Sequence, residues 1–259
     1  MTRRFERYVA VGDSSTEGLD DPDGAGGFRG WANRLAERIA GEQGSLLYAN
    51  LAVRGLSTRE IRDQQLEAAA AMRPDLSTLF SGTNDVVGRR FDPAAVARDV
   101  AEIQGTLIAG GATVLTFTLP DLRPVMPLAR LFAPRVFALN DALRHACGRT
   151  GAILVDIARH PVASDPRLWS EDRLHANAEG HARIAAALSH ALGLPGADDS
   201  WMAPLPIERP ASRLERIAAE VTWGKRYLVP WAWRGMLGRS SGDGRVPKRP
   251  ALRPVEVTR

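Results

Sequence analysis

Between residues 8 and 192 the chain alternates strictly between two kinds of segment, and few architectures tolerate that pattern. Apolar runs of strand length lie near Tyr8–Val11, Leu46–Leu51, Asp75–Phe80, Ala112–Thr118 and Ala152–Ile157. Each is followed by a stretch of helical character. In GWANRLAERIA, Trp31, Leu35 and Ile39 fall one helical turn apart. Ser57 or Thr58 can cap the next helix, with Glu60 close enough to assist; Asp92 and Pro93 open another, which Gly110 and Gly111 close. FALNDALRHACGRTG and Asn177–Leu192 complete the series. Strands separated by helices pair in parallel through crossovers, and such sheets are covered on both faces. Right-handed crossovers leave few strand orders. The pattern predicts a flavodoxin-like, three-layer α/β/α sandwich with about five parallel strands, occupying residues 1–199.

A parallel sheet puts its strand exits on one edge, where open α/β proteins place their chemistry. The first strand leaves through YVAVGDSSTEG and delivers Ser14. The second leaves through NLAVRG to Gly55, and the third through FSGTND to Asn84. Just before the last helix, SEDRLHANAEGH sets Asp172 and His175 three residues apart. A serine hydroxyl becomes a nucleophile when a neighbouring base takes its proton. His175 suits that task near neutral pH, and Asp172 can fix its tautomer and stabilise the imidazolium. An oxyanion formed by attack needs donors aimed in advance, for which the Ser14 N–H, the Gly55 N–H and the Asn84 amide are candidates. Asp13 and Asp85 are expected to hold loops by local hydrogen bonds.

Taken together and in order, GDSSTEG, NLAVRG, GTND and DRLH resemble the four sequence blocks of the GDSL-type SGNH hydrolases. The likeness runs from Tyr8 to about Leu192. It implies a flavodoxin-like sandwich and hydrolysis of an ester or thioester. It also implies Ser14 as nucleophile, Asp172 and His175 completing a triad, Gly55 and Asn84 beside the Ser14 N–H as oxyanion donors, and neither metal nor organic cofactor. Ser15 stands where the name-giving motif has leucine. The same site would also serve an acyltransferase with an alcohol acceptor. A reading of another class is a binding protein with an idle site and a basic working surface.

Residues 200–259 differ in kind and fall outside the likeness. They hold 12 Lys and Arg against 5 Asp and Glu, a balance of +7 within an overall +4, which leaves −3 on residues 1–199. Four of the six Trp lie there, too many to leave in water. Leu214, Ile217, Ala218 and Val221 have helical spacing, YLVPWAWRGML follows, and the polar end reads as disordered. This extension is expected to dock on the body or on a second copy of the chain, or to touch a membrane surface. Its charge comes with no nucleic-acid motif. GRSSG, Gly238–Gly242, fits the nucleophile-elbow pattern but has no strand before it. DGAGGFRG misses phosphate-loop spacing and reads as a loop beside the site. Leu119–Arg135 either lines an acyl pocket or is ordinary packing.

Cys147 is the only cysteine, which excludes a disulfide framework and a cysteine metal site. His145, His160 and His190 are expected to be structural or superficial, and His181 has no assigned role. MTRRFER leaves no room for a signal segment, and no apolar run approaches the roughly 18 residues a membrane span requires. The expected setting is cytoplasmic, with a small-molecule ester as partner.

Overall fold

The computed structural model describes residues 4–207, 219–228 and 242–256. One sheet carries β1 (Arg7–Gly12), β2 (Leu47–Asn50), β3 (Leu76–Phe80), β4 (Thr113–Phe117), β5 (Ile153–Val155) and β6 (Arg249–Pro254), in the order β5-β4-β3-β1-β2-β6. The first five are mutually parallel in flavodoxin-like order, whereas β6 runs antiparallel along β2. The helices are α1 (Ser14–Glu17), α2 (Gly30–Gln43), α3 (Thr58–Ala71), α4 (Thr83–Val87), α5 (Pro93–Ala109), α6 (Ala133–Thr150) and α7 (Ala178–Ala191). α2 packs on α7, and α3, α5 and α6 pack in series, so the sheet lies between two helical layers.

Coverage on both faces explains why β1 reads as a continuous apolar run: Tyr8, Val9, Ala10 and Val11 are all fully buried. Polar groups inside the sheet are paired, as they must be. The Tyr8 hydroxyl meets Thr78 Oγ1 at 2.8 Å, and Ser77 Oγ donates to the Val9 carbonyl at 2.8 Å. The helix starts follow their caps. Ser57 and Glu60 form a capping box, Asp92 accepts from the amides of Ala94 and Ala95, and Asn177 accepts from Gly180.

The end of the chain corrects an expectation. Instead of a disordered terminus, residues 249–254 form the outer strand of the sheet. Leu47 pairs with Pro254 and Tyr48 with Arg253, and Arg249 lays its guanidinium 5.4 Å from the Tyr48 ring. Without this strand β2 would present an open edge. Pro250 and Pro254 lack an N–H and are tolerated because the strand is itself an edge. Of the remaining extension, Leu214, Ile217, Ala218, most of YLVPWAWRGML and Gly238 to Ser241 lie outside the described residues, while Val221 belongs to a helical turn in 219–223.

Two glycines bring α1 against α2. Gly18 and Gly30 sit at φ +95° and +68°, and a Cβ on either would press on the backbone of the other. Gly30→Ala is therefore expected to destabilise by about 3 kcal/mol, combining left-handed strain with overpacking. Gly26, at φ +89° with nothing within 4 Å of a Cβ, shares the strain alone, so Gly26→Ala should cost about 1 kcal/mol. Urea denaturation of both variants measures the difference.

Candidate active site

The site begins where β1 ends. Gly12 is gripped by a buried amide: its N–H donates to Gln65 Oε1 and its carbonyl accepts from Gln65 Nε2, both at 2.9 Å. The next residue, Asp13, caps α1 by accepting from the Ser15 amide at 3.1 Å. Ser14 is thus the first residue of a short helix, held at the exit of the central strand. Glu17 at the end of that helix forms an ion pair with Arg54 and accepts from its amide at 3.1 Å, tying α1 to the loop of Gly55.

Asp172 and His175 come from a turn leading into α7. Asn177 donates from its amide to the Leu168 carbonyl, and Ser170 donates to the His175 carbonyl, closing the loop. Inside it, Asp172 Oδ1 accepts from the amides of Leu174 at 2.8 Å and His175 at 3.0 Å. Asp172 Oδ2 meets His175 Nδ1 at 2.6 Å, and His175 Nε2 lies 2.8 Å from Ser14 Oγ. With the carboxylate at Nδ1, the Nε2 lone pair points at the serine hydroxyl. Burial by itself would raise the Asp172 pKa, but hydrogen bonding and charge from His175 hold the carboxyl well below the usual range. Burial pulls His175 down, and Asp172, aided by Asp20 and Asp13, more than offsets it, so the imidazole pKa is raised.

Asn84, at the start of α4, links the other two loops. Its Nδ2 donates to the Leu56 carbonyl at 2.9 Å and lies 3.4 Å from Asp13 Oδ2. Gly55 precedes Leu56 in that loop, at φ +81°. Asp85 accepts from the amide and hydroxyl of Thr58, both at 2.9 Å, and so fastens α4 to the first turn of α3. Asp13 and Asp85 act here as loop anchors. Burial pushes the Asp13 carboxyl up to about 7 and raises that of Asp85.

Beside the Ser14–His175 pair opens an apolar cavity of about 70 Å³, walled by Phe80, Phe117, Leu119, Ile157, Leu168 and Trp169 among others. From the 119–135 connection only Leu119 and Pro120 reach it, whereas Leu122, Val125 and Ala129 form a small cluster of their own with Met126 and Trp169. Most of the wall comes from residues 157–184 and from Trp201 of the extension. Two polar neighbours of Asp172, namely Ser170 and Asp20, have no role assigned from the sequence. The Ser170 hydroxyl lies 2.6 Å from both Asp172 Oδ1 and Asp20 Oδ2, and Asp20 is 3.8 Å from His175 Nδ1. Asp20, Asp172 and His175 are close enough to share an ion, but both ring nitrogens of His175 already have partners.

The sequence profile of the GDSL-like Lipase/Acylhydrolase family matches residues 10–183. The chain belongs to that family. It is a serine ester hydrolase, and the match spans the strand exits and the 168–177 loop while leaving the extension outside. No curated protein matches by sequence. Among solved structures, it is similar to LAE5, an alpha/beta hydrolase from the metagenome of Lake Arreo, Spain, at 21% identity and TM-score 0.61, covering 73% of this chain and 95% of that one. The psychrotrophic esterase EstA from Pseudoalteromonas sp., inhibited by monoethylphosphonate, gives 15% and 0.57 over 73% and 97%. The acetylxylan esterase Axe2 from Geobacillus stearothermophilus, crystallised as a catalytic mutant, gives 15% and 0.62 over 77% and 100%. These likenesses concern the fold.

In this GDSL-like hydrolase the remaining histidines divide clearly. His160 packs edge-on against Trp201, which donates to His190 Nδ1 at 3.3 Å. His181, fully buried in α7, ties that helix to α2 and to the loop after α1: its Nδ1 accepts from the Trp31 amide at 3.1 Å and its Nε2 lies 2.9 Å from the Leu19 carbonyl. Burial drives its pKa down to about 4. The unfolded chain, with an ordinary value near 6.5, binds this proton first, so acid destabilises the fold as pH drops from about 6.5 to about 4. Asp13 works in the opposite sense over a similar window, which calls for a comparison with His181→Gln. Relative to that variant, the wild type should lose about 3 kcal/mol between pH 7 and pH 4 in urea titrations.

Proposed function

We propose that this hydrolase cleaves esters of short, apolar carboxylic acids through an acyl-enzyme on Ser14. The observation that carries the reading is the unbroken contact Asp172–His175–Ser14, at 2.6 and 2.8 Å, at the mouth of the apolar cavity. His175 Nε2 takes the hydroxyl proton as Ser14 Oγ attacks the ester carbonyl, giving a tetrahedral oxyanion and an imidazolium paired with Asp172. The imidazolium then protonates the departing alkoxide, and the C–O bond breaks. Water, deprotonated by the same imidazole, attacks the acyl-enzyme; the acid leaves and Ser14 regains its proton.

The oxyanion would be met by the Ser14 and Gly55 amides and by Asn84, whose second N–H has only a long contact with Asp13. At the 10–15 Å³ that one water-sized group occupies, the cavity has room for about five such groups. That favours small acyl chains, and the acetylxylan esterase among the structural neighbours acts on a small acyl group. The acyl-enzyme could also pass its acyl group to an alcohol, and product analysis with and without added alcohols separates the two outcomes. An idle site is disfavoured because the base and hydroxyl are already in hydrogen-bonding contact.

Ser14→Ala should abolish turnover of nitrophenyl esters while the fold persists; unchanged hydrolysis overturns the assignment. Asn84→Ala should cost on the order of 10²- to 10³-fold in turnover, and a loss below about threefold removes it from the oxyanion site. Since the base must be unprotonated and its pKa is raised, activity should climb with pH through a midpoint above the ordinary histidine value near 6.5. Asp172→Asn should shift that midpoint to lower pH as well as slow turnover; a midpoint that stays put would show that another acid sets it.

A further inference from the structure

The extension returns to the centre at the turn that carries the acid. Residues 219–228 lie over residues 171–173, and each residue of that turn is engaged. The indole N–H of Trp223 donates to the backbone carbonyl of Asp172 at 3.1 Å. Arg173 Nη1 donates to Glu220 Oε1 at 2.7 Å, and the same guanidinium lies 5.0 Å from the Trp223 ring. Glu171 accepts from the Tyr227 hydroxyl and from Arg226, both at 2.9 Å. Pairs at the exposed Glu171 side chain contribute little. The Arg173 side chain is only 18% exposed, and its backbone stands at φ +61°, a conformation that side-chain-bearing residues rarely adopt. Within the turn the Arg173 N–H donates to the Ser170 carbonyl at 3.0 Å, and from outside Trp223 and Glu220 hold its side chain.

We infer that Trp223 and Glu220 are positioning residues of the active centre, holding the 171–173 turn from outside so that the Asp172 carboxylate stays on His175. This rests on the function proposed above. Asp172 is held from two directions. Its carboxylate faces inward, to His175 and the amides of the turn; its carbonyl faces outward, to the indole. Releasing the outer hold frees Arg173 to leave its strained conformation, and the carboxylate between the two held points moves with it. The consequence falls first on the protonation chemistry rather than on acyl binding, because none of residues 171–173 lines the cavity.

The test uses the full chain and a small nitrophenyl ester, with kcat and KM separated, alongside the rate of Ser14 labelling by a fluorophosphonate and the melting temperature. Trp223→Phe keeps a ring over Arg173 but loses the donor; kcat and labelling should both fall about three- to tenfold with KM within twofold. Trp223→Ala should fall further. Glu220→Ala should lower kcat, and Glu220→Gln, which keeps an acceptor, should restore most of it. The inference is overturned if Trp223→Phe folds and retains full kcat and labelling, or if the loss lies in KM or in melting temperature alone. Ser14→Ala separates the two claims. If Ser14→Ala is inactive and the Trp223 variants are fully active, only the positioning role fails; if Ser14→Ala remains active, the proposed function fails.

Discussion

Three loops of this molecule hang from one buried amide pair. Gln65 satisfies both backbone groups of Gly12 and thereby fixes the last residue of the central strand. Asp13 and Ser14 leave directly from that point. Val53, in the second loop, donates to the same Gly12 carbonyl at 3.3 Å. Gln65 itself belongs to α3, whose first turn is fastened through Thr58 and Asp85 to the helix of Asn84. Ser14 and Asn84 are therefore placed by the ends of a strand and a helix rather than by free loops.

The same rim keeps several acids in different states by controlling their partners. Asp172 accepts from two backbone amides and meets the Ser170 hydroxyl as well as the imidazole, and stays charged despite its burial. Asp13, fully enclosed and with one short amide contact, is pushed toward neutral. Such separation of titrating groups sets a charged carboxylate and a far less acidic one at the same rim. Lys248 belongs to the same economy: it is drawn into the body, donates to the carbonyls of Phe28 and Arg29, and has its pKa lowered by burial to about 8.

What could be read from the sequence was whatever is local. The five parallel strands follow from continuous apolar runs, and their order from the handedness of the crossovers. The residues that meet at the rim, Ser14, Asp172 and His175, follow from types suited to one chemistry, the first at a strand exit and the other two three residues apart just before the last helix. What escaped depends on distant partners. Residues 249–254 alternate weakly and contain prolines, so only the waiting edge of β2 makes them a strand. The cavity wall between Ile157 and Leu168 is built from short tight turns with no period to detect. The apolar connection after β4 suited lining and packing equally, and it does both: Leu119 and Pro120 reach the cavity while Leu122, Val125 and Ala129 cluster apart. Gln65, Asp20 and Trp223 occupy unremarkable sequence positions, and their contacts exist only once the chain has folded.

The outer strand has a consequence for biogenesis. β6 begins 94 residues after β5 ends (249 − 155), about 5 to 20 seconds of synthesis at ordinary ribosomal rates. For that interval the nascent hydrolase can assemble its five parallel strands while one margin of the sheet offers unsatisfied amides and carbonyls to any neighbouring chain. The late-made segment thus ends a period of exposure, and a translation arrest ahead of it would leave a largely folded but adhesive product.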